Sequence, residues 1–362
     1  SFTYESAGSL YNGGLTNPST LANPDLRPLR TITYEFGADL RLFKNRLGFD
    51  VAWYSGNTKD QILSRKVDRS SGAQYAIINA GRISNSGLEI AINGKPIYNK
   101  KAFQWTTNFT FSSNKNEIKE LADSSLVLST GPVGGGQIVA KVGGSMGDLF
   151  GIGYKRSPDG QVMYDPNTGV ALLTEEIVYL GNTLPKWKAS IGNDFRYKQF
   201  RLNLLFDTQY GAVAHSLMHY KLAEQGKTTN TLPGRYNGII GNGVVQNTDG
   251  SFRKNDIIAT DIDEYYRSHF GGNNAEGSTY PTDFIKFREA RLDFTLSQKM
   301  TKKLGLQKAV IGVYGRNLYI WSKWPMFDPE FGTISGTDIV KGFEIAQFPS
   351  TRTFGFNLVV GF

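Results

Sequence analysis

The 362-residue sequence has no cysteine, so disulfide staples and thiolate chemistry are excluded, and cysteine usage carries no information on redox compartment. Histidine is almost as scarce. With only His215, His219 and His269, at unhelpful positions, no serine–histidine–aspartate arrangement can be picked out. His215 and His219 have the i, i+4 spacing of a helical ligand pair, but no glutamate follows His215 as in a zinc protease and the segment reads as loop, so no metal is expected. Gly134-Gly135-Gly136 lacks the Lys-Ser/Thr of a phosphate loop. Asp165-Pro166-Asn167-Thr168-Gly169 reads as a turn, and Asp261-Ile262-Asp263-Glu264 as a solvated acidic stretch. The expectation is a protein without catalytic residues, cofactor or metal. No apolar run reaches 18 residues, which excludes a spanning helix.

Aromatic residues are plentiful: 5 Trp, 18 Tyr and 23 Phe in a chain whose mean hydropathy is slightly negative. They recur at every second position. Phe354, Phe356, Leu358, Val360 and Phe362 alternate with Thr353, Gly355, Asn357 and Gly361. This is the period of a strand with one apolar and one polar face, the pattern of a membrane barrel with a wet interior. Eight more segments repeat it, near 31–43, 47–53, 88–93, 103–111, 189–197, 200–206, 290–296 and 306–320. Tight basic turns at Lys44-Asn45-Arg46, Asn99-Lys100-Lys101, Lys198-Gln199 and 299–303 alternate with long connections near 60–85, 114–186, 212–283 and 321–350. The second of these is Gly-rich and reads as irregular.

The expected fold is therefore all-β, an antiparallel transmembrane β-barrel, with short turns and the C-terminus periplasmic and long loops outside. Trp187, Trp321 and Trp324 fall just outside strands on the long-loop side and Trp105 near a short turn, as girdle residues do; Trp53 lies deeper in its strand. The net charge of +8 gathers in the short turns, at Lys44, Arg46, Lys100, Lys101, Lys198, Lys299, Lys302 and Lys303. That placement suits a rim touching anionic headgroups and argues against nucleic acid. Nine strands is an odd number where even counts are expected, so further strands are expected before Ser1. An open nine-stranded sheet alone would expose two unpaired edges to lipid.

The segment Asn23-Pro24-Asp25-Leu26-Arg27-Pro28 leading into TITYEFGADLRLFKNRLGFDVAWYSGNTKDQI resembles the barrel of SusC/RagA-type TonB-linked outer-membrane transporters. So do LGNTLPKWKASIGNDFRYKQFRLNLLFDTQYGA, DFIKFREARLDFTL, YGRNLYIW followed by Asp328-Pro329-Glu330, and the closing FPSTRTFGFNLVVGF. The resemblance implies that residues 1–362 are about the last nine strands of a roughly 22-stranded barrel, with the plug, the TonB-contacting segment and the first strands not in this chain. It implies TonB-dependent import of a nutrient, a glycan or a peptide, with a SusD-like surface lipoprotein over the long loops. A passive porin or a surface adhesin is the alternative. On that topology Glu35, Asp39, Arg41, Asp50, Glu89, Asp194, Arg196, Arg201, Asp207, Arg291 and Asp293 line the lumen and face a plug. Tyr265, Tyr266, Arg267 and Trp324, in the long loops, are expected to meet substrate or lid. The sequence does not name the substrate.

Overall fold

The computed structural model describes residues 5–6, 15–16, 18–99, 102–330, 333–335, 338–340 and 342–362. Lys100 and Lys101, expected in a tight turn, lie outside them, as do parts of the 321–350 connection. Nine strands form the main sheet: β1 (Arg30–Leu42), β2 (Leu47–Lys59), β3 (Gly81–Tyr98), β4 (Phe103–Leu121), β5 (Trp187–Tyr197), β6 (Phe200–Tyr210), β7 (Phe284–Thr295), β8 (Lys308–Ser322) and β9 (Thr353–Gly361). Each pairs antiparallel with its neighbours in chain order, so the sheet is a pure meander. β1 and β9 are its edges.

Alternation sorts the side chains. Phe36, Phe354 and Phe356 are 69%, 70% and 80% exposed, and Tyr34, Leu40, Ile311, Val313 and Leu358 share that exposed apolar surface. In a protein that folds in water, such a face would be buried; one left bare over nine strands is built for hydrocarbon. The apolar band has a sharp upper limit. Along β4 the outward positions run Phe103, Trp105, Thr107, Phe109, Phe111 and then turn to Ser113, Lys115, Glu117 and Lys119. β2 changes likewise from Trp53 to Ser55, Asn57 and Lys59, and β3 from Leu88 to Ser86 and Ser84. Trp53, Leu88, Ser113, Trp187 and Tyr210 occupy one hydrogen-bonded row at that limit. Trp53 is thus a boundary residue like Trp187. Trp187 stacks on Tyr210 at 5.6 Å and lies 6.1 Å from Phe111. A second aromatic group, Phe103, Trp105 and Phe195, marks the short-turn end.

On the opposite face small residues let large ones lie across the sheet. Gly87 sits opposite Tyr54, and a Cβ there would lie 2.3 Å from the Ser113 carbonyl oxygen and 2.4 Å from the Tyr54 hydroxyl. Gly87→Ala is expected to cost about 1–3 kcal/mol through overpacking. A lowered unfolding temperature of the full-length, detergent-solubilised protein would show it; an unchanged temperature would refute the contact.

The buried hydrophobic clusters lie almost wholly in the long connections. Where the sequence reads irregular chain from 114, β4 runs on to Leu121, and strands Ser125–Thr130, Gln137–Lys141, Asp148–Gly151 and Val178–Asn182 form a four-stranded sheet. The 211–283 connection, where His215 and His219 read as loop, contains strand Val213–Ser216 and the helices α1 (Leu217–Glu224) and α2 (Ile262–Phe270). Ser216 caps α1 and Asp261 caps α2, each accepting from the backbone N–H three residues on. The 299–303 turn is a short helix, α3 (Gln298–Lys303). Phe343, 2% exposed, ties the last connection to the others. It packs on Ile138 and Leu149, and strand Phe343–Glu344 pairs with His215 and Ser216. Gly131 lies flat on its ring, where a Cβ would come within 2.0 Å. The long connections therefore make one packed cap at one end of the sheet.

Candidate functional site

The polar face carries ion pairs between residues two apart on one strand. Arg41 reaches Asp39 at 2.8 Å on β1. On β5 and β6, Asp194 is shared by Arg196 at 2.8 Å and Arg201 at 2.5 Å. On β7, Arg291 reaches Asp293 at 2.9 Å, and Asp293 is buried. All three groups lie within a few residues of a short turn. Glu35 is on the same face of β1, further from the turn, opposite Tyr54. Most of these pairs are half-exposed and contribute little to stability individually; collectively they make the inner wall charged and wet.

The strongest charge cluster lies nearer the cap and includes residues that simple alternation misses. Pairing slips between Leu205 and Phe206 on β6 and between Phe287 and Glu289 on β7, leaving Arg288 as the extra residue of a bulge. The bulge puts Lys286, Arg288 and Glu289 together on the polar face, while Phe287 stacks on Phe206 at 4.5 Å on the other. Arg288 grips Asp207 with two bonds of 2.6 and 2.7 Å and also bonds Glu330. Lys286, 2% exposed, donates to Asp328 at 2.6 Å and Glu330 at 2.5 Å. Burial raises the Asp328 carboxyl, but hydrogen bonds from Lys286, Ser350 and the Glu330 N–H outweigh it and hold the group below the usual carboxylate range. The Asp328-Pro329-Glu330 segment is therefore latched to the inner wall. The sequence signal was present in the two consecutive polar residues, Arg288-Glu289, that interrupt the alternation of Ile285, Phe287, Ala290 and Leu292.

The residues expected to meet substrate or lid are placed differently from one another. Tyr265 and Tyr266 on α2 are each 7% exposed and pack with Tyr164, Ala171, Val245 and Ala259; they hold the cap's core rather than stand as open stacking platforms. Trp324 is also 7% exposed, so it is neither a surface platform nor a membrane-boundary residue. Arg267 is on the surface, paired with Asp263 at 2.9 Å. Tyr266 and Arg267 are among the residues lining a concavity of about 830 Å³ between the end of α1 and the start of α2, with Glu224, Asp263 and Arg235. Its size suits a small ligand or a short segment of a larger one.

The three histidines are all in the cap. His215 and His219 are buried without converging on a common centre: His215 Nδ1 is 3.2 Å from the Ala275 carbonyl and His219 Nδ1 is 3.0 Å from Ser278 Oγ. His269 lies between the hydroxyls of Tyr154 at 3.0 Å and Tyr164 at 3.4 Å. Burial lowers the pKa of each to about 4, so all three are neutral at physiological pH. No group of three or more metal-ligating side chains occurs among the described residues.

Comparison with known proteins follows the same geometry. The family model described as TonB dependent receptor-like, beta-barrel matches residues 1–231. TonB-dependent receptor P3 of Formosa agariphila is 26% identical over 373 residues, covering 94% of this chain and 35% of that protein. TonB-dependent receptor SusC of Bacteroides thetaiotaomicron is 30% identical over 100 residues, covering 27% of this chain and 10% of its own length. Among solved structures, the RagAB peptide transporter matches with a TM-score of 0.70 at 17% identity, over 99% of this chain and 38% of that one. The chain spans about a third of the length of the curated relatives it matches over most of its own length.

Proposed function

Because this chain belongs to the TonB-dependent receptor β-barrel family, a family of the outer membrane, we propose that it forms wall and mouth of a channel that imports a nutrient, a peptide or an oligosaccharide, with energy from TonB. The observation that carries the reading is the combination of a bare apolar face, a charged inner face and a packed cap at one end only. On this reading the cap is extracellular, and the short turns and the C-terminus are periplasmic. The plug, the remaining strands and the TonB-contacting segment belong to other parts of a longer polypeptide, and a SusD-like lipoprotein closes over the cap. The ion pairs Asp39–Arg41, Asp194–Arg196 and Arg291–Asp293, with Glu35, face the plug.

The concavity beside α2 is the proposed ligand contact. Acidic Glu224 and Asp263 stand with basic Arg235 and Arg267 around it, which suits a ligand bearing both charges, such as a peptide; the RagAB neighbour is described as a peptide transporter. A neutral oligosaccharide is the second candidate. Uptake by cells expressing the full-length protein is expected to fall to background when TonB is absent, and Arg267→Ala is expected to weaken ligand binding about tenfold, the worth of one charge-assisted hydrogen bond. Uptake that persists without TonB would replace this reading with a passive pore.

A further inference from the structure

We propose that Phe327 and Phe348, an apolar patch on the inner side of the wall beside the Asp328-Pro329-Glu330 latch, form the seat of the plug. The segment of the plug that rests there is apolar and basic. The inference rests on the import reading for the existence of a plug and adds where that plug is held. Lys286, which anchors the latch, pairs with Asp207 of β6, and Tyr210 of the boundary row lies three residues further along that strand. The latch is therefore fixed about 10 Å along the strand inside the outer limit of the apolar band, within the barrel and not above its mouth. Lys286 is on the polar face, so what hangs from it is on the lumen side and out of reach of lipid.

Phe327 and Phe348 line one cavity of about 270 Å³ with Met218, Met326 and Pro349. Phe327 is 62% exposed and Phe348 100% exposed. The chain around them is tied down. Ser350 donates to Asp328 at 2.6 Å, which joins the two arms of the connection, and Glu344 accepts from Ser216 Oγ at 2.6 Å and from the Met218 N–H at 3.1 Å, at the start of α1. Phe327 has φ +46°, a left-handed conformation that a bulky residue keeps only where its neighbours impose it; here the next residue, Asp328, is held by Lys286. Two aromatic rings presented to a wet, charged interior are unfavourable unless another surface covers them. Lipid is on the opposite face, and a lid closing over the cap meets its outer surface. The rest of the polypeptide remains: this chain is 35% of the length of TonB-dependent receptor P3, so most of such a protein lies elsewhere. Charge selects the kind of segment. Asp328, Glu330 and Glu344 line the cavity and none of its lining residues is basic; with Asp207 these carboxylates outnumber Lys286 and Arg288, the cations they share. The matching surface is one of apolar side chains flanked by lysine or arginine.

The test places the photo-crosslinking residue p-benzoylphenylalanine at Phe348 or, separately, at Glu35 of the full-length protein in outer membranes, and identifies the cross-linked peptides by mass spectrometry. Phe348 is fully exposed, so its replacement is expected to leave the fold, read by heat-modifiable mobility, unchanged. From Phe348 the expected cross-link is to the polypeptide's own plug, at a peptide in which lysine or arginine adjoins apolar residues. Cross-links from Phe348 only to barrel strands, lipid or a separate lipoprotein, with Glu35 reaching the plug, would overturn the seat and leave the import reading standing. Cross-links to a plug from neither position would overturn both. Phe327→Ser with Phe348→Ser is expected to raise hydrogen exchange in the cross-linked plug peptide more than about tenfold, with the 323–330 amides unchanged. Exchange in that peptide equal to the unmodified protein's would show rings that touch the plug without holding it, and would also overturn the seat.

Discussion

Lys286→Met is expected to release the 323–330 segment from the wall, raising hydrogen exchange of its amides by a factor of about 100 or more. The argument is one of stranded charge. Lys286 is almost fully buried and is shared by Asp328 and Glu330; Asp328 is itself 10% exposed at its side chain. Removing the ammonium leaves two neighbouring carboxylates, with Arg288 already committed to Asp207 and one of them. Breaking a buried ion pair from one side costs about 3–5 kcal/mol, because the remaining charge has neither water nor partner. The segment then relieves the cost by detaching. Asp328→Asn in the same chain removes one of the stranded charges and is expected to recover part of the protection. Unchanged exchange in Lys286→Met would show that Arg288, on Glu330, and Ser350, on Asp328, hold the latch without it.

Acidification is expected to open the cap while leaving the sheet intact. His215, His219 and His269 ordinarily titrate near 6.5 and are depressed to about 4 by burial. The folded cap therefore binds fewer protons than the opened one between those values. Its stability is complete above about pH 6.5 and is lost as pH falls toward about 4, by roughly 3 kcal/mol for each histidine whose shift is fully expressed. The contacts agree with neutral rings. His215 Nδ1 faces a carbonyl, which requires its proton there, and Nε2 has no hydrogen-bond partner among the described residues, so a second proton would find no acceptor. Asn230 Nδ2 lies 3.3 Å from His219 Nε2, a contact that works only while that nitrogen accepts. Hydrogen exchange at pH 7.5 and pH 4.5, corrected for intrinsic rates, is expected to show loss of protection in α1 and α2 and none in β5 and β6. His219→Asn should remove about a third of the pH dependence. A cap equally protected at both values would mean that these rings are reached by water.

The nine strands were legible because each presents hydrocarbon on one side and water on the other, and that difference repeats every two residues whatever the loops do. Legibility ended where the period did. Arg288 breaks it with one extra residue, so Lys286 and Arg288 did not join the expected inner-wall set although they make its strongest contacts. In the cap the apolar residues have no period at all: Tyr164, Val245 and Tyr265 meet from three stretches of chain, so an aromatic such as Tyr266 looks equally like a platform and a core residue. The same holds for Trp324. Its distance from the last residue of β8 suggested the membrane boundary, whereas the 323–352 connection folds it inward.

The seating of Phe343 bears on how such proteins can diversify. Its socket is assembled from Gly131, Gly136, Ile138, Leu149 and His215, which belong to two other connections. No one of the three is an interchangeable module. A chimera that took residues 122–186 from a relative would inherit a socket cut for another side chain, and a Cβ in place of Gly131 would already collide with the ring. Exchanging the cap as a block would keep the joint intact, and Arg267, on the surface and paired with Asp263, stands clear of it.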